Sequence, residues 1–459
     1  MRRFLAYFQQ FAHFEYNARL YLLSNALSGI TTGIFLVLYN LYLISLGYKA
    51  DFVGATLFAG TIGAGLAIFP AGYCIDRWSG KWILIGSSAL MGLVGIGAIL
   101  FRQPGPLLVS AFLVGVATAF SLVINAPFLT RNSQPVERSH LFSLNIVLTQ
   151  IATVVGEVLG GALPTWFLLH SWWMSALPHG LNWFLDSQPE PRAYQLALLG
   201  AGIIAIPSFV PLFLLRNDHP PEQPTRQTHS DDRPPLSWRD RLTVARERTR
   251  PAYLRLLLLS PFFVLVLIQV LTGLGAGLII PYFNLFFVLH LKASPALFGL
   301  LDGAANGLMA LTTLFGPWLA RRLGRVNSIV LTRLCSLPVL LAIGFTSSLS
   351  LAAVLYPVRE GVMDMSQGVL QVFSMEEVPE ERRGLANSAY QAGYQVAWAI
   401  TSSLAGLIIV SFGYSPLFVG AATCYLATIV LLWVRFRGSK RGGDRNIAEE
   451  PEPASAPVL

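Results

Sequence analysis

The sequence predicts an all-α polytopic membrane protein, with twelve transmembrane helices in two pseudo-symmetric six-helix bundles. Three observations predict it. The 459-residue chain is 54% hydrophobic and only 12% charged, a composition that leaves too little polar surface for a water-soluble protein of this length. The apolar residues fall into runs of about 20 residues or more, each long enough to cross a ~30 Å hydrocarbon core as a helix. Short pieces of sequence also recur at a constant offset of 244 residues, as expected of a chain built from two related halves.

Taken in order, Met1 to Arg19 places Phe4, Phe8 and Phe11 at helical spacing behind Arg2 and Arg3. This is the pattern of an amphipathic segment lying at the membrane surface (1–19). Gln9, Gln10, His13, Glu15 and Asn17 interrupt the apolar core that a signal peptide needs. Six spans follow in an N-terminal bundle (20–215), at about 20–46, 52–75, 82–101, 106–130, 139–169 and 193–215. Residues 216–255 form an inter-bundle linker. Pro220, Pro221, Pro224, Pro234 and Pro235 make its first part a poor helix, and Ser237 to Asp240 reads as a capping box opening a basic helix. The C-terminal bundle (256–436) holds spans at about 256–289, 296–319, 326–346, 350–375, 384–410 and 416–436. The tail, 437–459, has the composition of a disordered segment.

Basic residues set the orientation. With the N-terminus inside, 26 Lys and Arg fall on the inner side and 4 on the outer side, with Arg333 and Arg359 left within spans. The positive-inside rule therefore places both termini in the cytoplasm and favours an even number of spans. Cys74, Cys335 and Cys424 have neither disulfide nor metal spacing and read as packing residues.

The clearest repeat is a short charged stretch between spans 2 and 3. Gly72, Arg77, Gly80 and Lys81 recur as Gly316, Arg321, Gly324 and Arg325. The stretch reads as a tight loop joining two helices. The same offset carries Gly29, Gly33 and Asn40 onto Gly273, Gly277 and Asn284, and Pro135, Glu137 and Arg138 onto Pro379, Glu381 and Arg382. Each half has six spans, so the halves share an orientation and are related by an axis along the membrane normal.

On these residues the chain resembles the major facilitator superfamily over nearly its whole length. The family's loop between spans 2 and 3 runs Gly, three residues, Asp, Arg, then Gly and basic residues. Gly72, Asp76, Arg77, Gly80 and Lys81 supply it, with Ser79 where the second glycine usually stands. The second copy has Ala320 in place of the Asp. The resemblance implies that Asp76 meets the N-terminal end of span 11, near Arg383 to Ala386, and the basic residue ending span 4, Arg131, and so holds the cytoplasmic side shut. A carboxylate gains there from the helix macrodipole and from the Arg. A plain positive-inside turn is the alternative. Exporters of the family carry Gly-Pro, two residues, Gly-Gly on span 5. This chain reads Gly156, Glu157, Val158, Leu159, Gly160, Gly161, which keeps the glycines and puts Glu157, a candidate proton carrier, at the proline position. Antiporters of the family usually have an Arg on span 4, but Ala111 and Val114 stand around the corresponding Gly115.

Charges inside the membrane are the strongest functional signal. Span 10 carries Arg359, Glu360 and Asp364 near its middle. A charge there costs at least ~2.5–3.5 kcal/mol unless it is paired or wetted. Glu360 and Asp364, four residues apart, share a helix face and can share a proton, with Arg359 compensating one of them. The family lines its central cavity with spans 1, 4, 7 and 10, which makes the cluster a substrate or proton site. A salt-bridge knot tying span 10 to its neighbours is the alternative. Asp302, near the outer mouth, and Arg333, near the inner end where it can snorkel, are weaker candidates. Polar and aromatic candidates are Asn25, Asn40, Gln269, Asn284, Gln391 and Gln395, with Tyr394 and Trp398 placed to stack on a ligand; a hydrogen bond between helices is the alternative for each polar one.

The sequence contains no phosphate-binding Gly-Lys-Ser/Thr loop, no metalloenzyme spacing and no nucleophile elbow. The expectation is a secondary transporter, not an enzyme, without cofactor or metal. It would move a small organic solute by alternating access in the cell (inner) membrane, coupled to protons and leaning to efflux. Its partners would be solute, protons and lipid, with no nucleic acid, and the chain would be a monomer. A proton-coupled importer is the alternative. A membrane enzyme or sensor is another, suggested by Trp172, Trp173, His179, Trp183 and Asp186 in the loop after span 5, although an aromatic belt at the interface accounts for those tryptophans.

Overall fold

A computed structural model describes residues 14–134, 137–175, 184–217, 260–379 and 383–437. Most of the expected surface segment, linker and tail lies outside them. The chain alternates long apolar helices with short connections. In the first half these are α1 (Tyr16–Ser45), α2 (Ala50–Arg77), α3 (Gly80–Leu100), α4 (Pro104–Arg131), α5 (Arg138–Leu169) and α6 (Pro189–Leu214). In the second half, α7 (Pro261–His290) passes through a 3-10 turn at Ile280–Tyr282 and a π turn at Phe286–His290. Next come α8 (Pro295–Thr313, continued by Gly316–Leu323), α9 (Arg325–Phe345), α10 (Leu349–Asp364, continued by Gln367–Glu376), α11 (Arg383–Phe412) and α12 (Ser415–Phe436). Every expected span is found, with ends within about five residues.

Ten of these helices are each long and apolar enough to cross a membrane, and the two pieces of α8 form an eleventh span bent by 44°. The bend precedes Pro317, which has no N–H to give the preceding turn. The two pieces of α10 complete the set of twelve.

The repeated stretch departs from the expected loop. Gly72 to Arg77 is the last part of α2, and only Trp78 and Ser79 separate it from α3. A basic residue in a last helical turn is favoured by the macrodipole, and Arg77 stands there with its guanidinium over the Tyr73 ring, 4.3 Å from its centroid. In the second half, Gly316 to Leu323 is also helical, and Gly324 ends it at φ +83°, a conformation that glycine adopts without strain.

The helices pack into two compact units. The first takes residues within 1–246, 277–304 and 399–417; the second takes those within 247–276, 305–398 and 418–459. In the first unit, Phe14, Tyr21, Leu22, Ile75, Ile83, Leu84, Phe128, Leu144 and Leu212 form one buried cluster. Asn17 crosses it: it donates to Asn132 Oδ1 (2.8 Å) and the Arg216 carbonyl (3.1 Å), and accepts from the Arg216 N–H (2.9 Å). One amide thus ties the start of α1 to the ends of α4 and α6. α1 and α5 touch backbone to backbone, because a Cβ on Gly156 would overlap the Ile30 carbonyl. The second unit has its own core of Val264, Leu265, Ile268, Ile329, Leu370, Phe373, Tyr390, Leu432 and Phe436.

Candidate functional site

The charged residues of α10 lie in the second unit, and the fold adds to them. Arg359 is 1% exposed. It forms an ion pair with Glu360 and lies over the Tyr425 ring of α12, 5.7 Å from its centroid. Its Nε, also buried, has no hydrogen-bond partner among the described residues. Asp364 is half-buried and lies in electrostatic range of Glu360, Arg359 and Arg333. It makes no ion pair among the described residues.

Arg333 is the ninth residue of α9, about 12 Å from the helix start at 1.5 Å per residue, and at 2% exposed it is held within the helix packing rather than reaching outward. It donates to Thr272 Oγ1 of α7 and to Gln367 Oε1 of α10, both at 3.4 Å. Gln367 can reach it because α10 breaks at Met365–Ser366, where Thr332 of α9 also donates to Ser366 Oγ (2.8 Å).

The result is a buried cluster of two guanidiniums and two carboxylates, formally neutral. The guanidiniums are the more buried members and the carboxylates are half-buried. Tyr394 of α11 lies in electrostatic range of Tyr425, Asp364, Arg359 and Glu360, and its ring is 5.9 Å from that of Trp398. Such an arrangement holds charge in an apolar surround by mutual compensation, and a proton gained by either acid unbalances it. Thr272, Gln367 and Tyr425 were not singled out by the sequence. A threonine, a glutamine and a tyrosine in apolar helices carry no signal until the tertiary fold places them against an Arg.

The other candidates fall elsewhere. Gln269 is half-buried on α7, and Gln391 and Gln395 are exposed on α11. Asn25 donates to Asn145 Oδ1 of α5 at 2.9 Å, an ordinary helix–helix bond. Glu157, 1% exposed, belongs to the first unit, at the point where α1, α5 and α8 meet: Cβ atoms on Gly33 and Gly299 would collide with its backbone. Asp302 is half-buried on α8 in the same unit. Asn40 and Asn284 are also there and bind each other's helices, Asn40 donating to the Pro281 carbonyl (2.8 Å) and Asn284 to the Val37 carbonyl (3.2 Å).

At the α2–α3 connection, the Asp76 side chain lies outside the described residues, as do the side chains of Arg383 to Leu385. Its neighbour is informative: Arg131, ending α4, donates to the Ile75 carbonyl at 3.4 Å. Lys81 donates to the Phe213 and Leu215 carbonyls (2.9 and 2.7 Å) and so closes the C-terminal end of α6. Gly80 is buried at the start of α3, and Gly72 has open space around it.

In the loop after α5, His179 and Trp183 lie outside the described residues. Trp172 and Trp173 pack on each other with ring centroids 4.0 Å apart. Arg192, 2% exposed, donates to the Asp186, Ser187 and Ser175 carbonyls at 2.6 to 2.8 Å. This arginine is spent on backbone carbonyls of its own loop.

The family model described as Major Facilitator Superfamily matches residues 21–358 and 265–458. Among solved structures, the chain is similar to a bacterial homolog of the human lysosomal transporter Spinster in an inward-facing, unoccupied conformation. Identity is 13%, with 92% of this chain and 95% of that chain covered at a TM-score of 0.65. It is also similar to the nucleoside transporter NupG, at 14% identity, 92% and 98% coverage and a TM-score of 0.61. A bacterial homologue of the iron transporter ferroportin in an inward-facing state gives 18% identity, 91% and 98% coverage and a TM-score of 0.66. At these identities the likeness is one of fold.

Proposed function

Because the chain belongs to the major facilitator superfamily and is a multi-pass membrane transporter rather than an enzyme, we propose that it is a proton-coupled secondary transporter that exports a small organic solute by alternating access. The observation that carries this reading is the neutral buried cluster of Arg333, Arg359, Glu360 and Asp364. Charges at this depth are costly, and in membrane transporters such residues mark ion and proton paths. Glu360 is held by Arg359, whereas Asp364 has no direct cation partner among the described residues, so Asp364 is the group assigned to take and release the proton.

The half-buried members of the cluster are the acids, so the site favours a solute carrying positive charge. Proton and solute would then compete for the same carboxylate, which is the logic of exchange. The glycines kept on α5 support export as the direction, and the charge asymmetry supports a cytoplasmic location for both termini in the cell membrane. The direction is tested in inverted membrane vesicles. Uptake of organic amines should require an inside-acid gradient and collapse with a protonophore. Accumulation only in right-side-out vesicles with an inward proton gradient would make it an importer instead.

The same reading makes Asp76 the carboxylate of a cytoplasmic gate, supported by Arg131 sitting against the carbonyl of Ile75. For Asp76→Asn, labelling of single cysteines on the cytoplasmic ends of α4 and α11 should rise about fivefold or more, the size of a typical coupling between sites. Unchanged labelling would reduce the stretch to a plain turn.

A further inference from the structure

We propose that the solute bound at the α10 cluster is a zwitterion of the amino-acid kind, its carboxylate received by Arg333 and its ammonium by Asp364. This rests on the reading of the cluster as the solute site, and adds to it a pole for negative charge. Arg333 is the reason. It is 2% exposed and makes no ion pair among the described residues. Its two hydrogen bonds, to Thr272 Oγ1 and Gln367 Oε1, go to neutral acceptors and at 3.4 Å are long. Its Nε is buried and has no hydrogen-bond partner among the described residues. Asp364 lies in electrostatic range of Arg333 but does not pair with it. A guanidinium cannot shed its charge at this depth, so the position calls for an anion.

The break in α10 sets a second attraction beside it. The second piece, Gln367–Glu376, is ten residues long and starts after Ser366 without a side-chain cap. The Ser366 hydroxyl is engaged by Thr332 instead. The N–H groups of an uncapped first turn favour an anion, with the positive end of the helix dipole behind them. Arg333 is aimed at this turn, because its partner Gln367 is the first residue of the helix. A Cβ on Gly368 would meet nothing within 4 Å, and Gln367, Gly368 and Gln371 are exposed. Glutamines exposed on a membrane helix face water, because lipid offers an amide no hydrogen bond. The turn is therefore open to a solute. Gln367 holds the place of a carboxylate, and a carboxylate that displaces it gives Arg333 the shorter, charge-assisted bonds that a neutral amide cannot.

The two poles are close enough for one small molecule. Asp364 closes the first piece of α10 and Gln367 opens the second, about 4.5 Å apart along a helix axis at 1.5 Å per residue. That is the scale on which the two ends of an amino acid reach separate partners. Tyr394, in electrostatic range of Asp364, and Trp398 offer aromatic faces to the substituent. Gly273, next to Thr272, fixes Tyr394 there: a Cβ on that glycine would collide with the Tyr394 carbonyl. A plain amine would leave Arg333 on its neutral acceptors, and a plain acid would leave Asp364 unanswered.

The test is a thermal-shift titration of the full-length protein purified in detergent, with no gradient. The probes are phenylalanine, 2-phenylethylamine, which lacks the carboxylate, and 3-phenylpropionate, which lacks the ammonium. Leucine, 3-methylbutylamine and 4-methylpentanoate repeat the series on an aliphatic substituent. At least one amino acid should reach half-saturation at a concentration about tenfold or more below those of its amine and its acid, the discrimination expected of a charge-assisted hydrogen bond. Gln367→Glu, at an exposed position, ties a carboxylate to Arg333 and should bring the ratio of amino acid to amine close to one. Arg333→Lys keeps the charge but loses the planar fork, and should narrow the ratio to about threefold. An amine that binds as tightly as its amino acid, an unchanged ratio in Gln367→Glu, or no response to either amino acid would overturn the zwitterion. Tight binding of the amine alone would leave exchange of a cationic solute standing, and a failure of proton coupling would leave the parent protein's ratio as it is.

Discussion

Asp364→Asn should lower gradient-driven transport about 5- to 150-fold, the range of a typical coupling free energy between two sites. The change is nearly isosteric, so it should leave the melting temperature close to the parent, while solute counterflow falls as well because the cation loses its carboxylate. The reason is chemical. Arg333, Arg359 and Glu360 lie in electrostatic range of Asp364, and the cluster is neutral only while both acids are ionised. A proton on Asp364 leaves net positive charge in the site and expels a cationic solute, whereas an amide cannot switch. The measurement is pH-jump transport in proteoliposomes, with thermal unfolding of the purified variant as the control. Full gradient-driven transport by Asp364→Asn would remove Asp364 from the coupling path.

Glu360→Gln should cost about 3–5 kcal/mol of stability, the loss seen when one partner of a buried ion pair is removed. Arg359→Met should cost less. A guanidinium cannot shed its charge, so Arg359, 1% exposed beside Tyr425, would be stranded by the loss of Glu360. Glu360 is only half-buried, so the loss of Arg359 leaves it less confined. The double variant Arg359→Met with Glu360→Gln should recover most of the loss, because it leaves no lone charge. Thermal unfolding of the purified protein, read as a double-mutant cycle, checks the order. If Arg359→Met proves the more damaging single change, then Arg359 holds something other than Glu360.

The helices were legible because length and apolarity act locally. A run of about 20 apolar residues needs no partner to declare itself, and the ends of the spans follow from charge and proline. The α2–α3 stretch was misread as loop because its glycines and charges have the composition of a turn, while the macrodipole and the Arg77–Tyr73 contact keep it helical to Arg77. The α10 cluster was legible for the opposite reason: charge inside an apolar run stands out by its cost. Its companion Arg333 was underrated, since depth in a helix says nothing about which side chains wait on α7 and α10. Asn40 and Asn284 stand out in the sequence as a repeat, with a ligand contact and a bond between helices both open. A one-dimensional repeat gives no sign that each member donates to the other's helix.

By itself, then, the amino-acid order determined twelve apolar passes, two related halves and a knot of charge in the tenth pass, because hydration cost is paid residue by residue. Tertiary structure decided which of those charges hold one another, that a threonine, a glutamine and a tyrosine complete their setting, and that two asparagines 244 positions apart clasp α1 to α7. Hydrogen bonds and ion pairs are directional and act over a few ångströms, so they exist only once helices distant in sequence have been brought side by side.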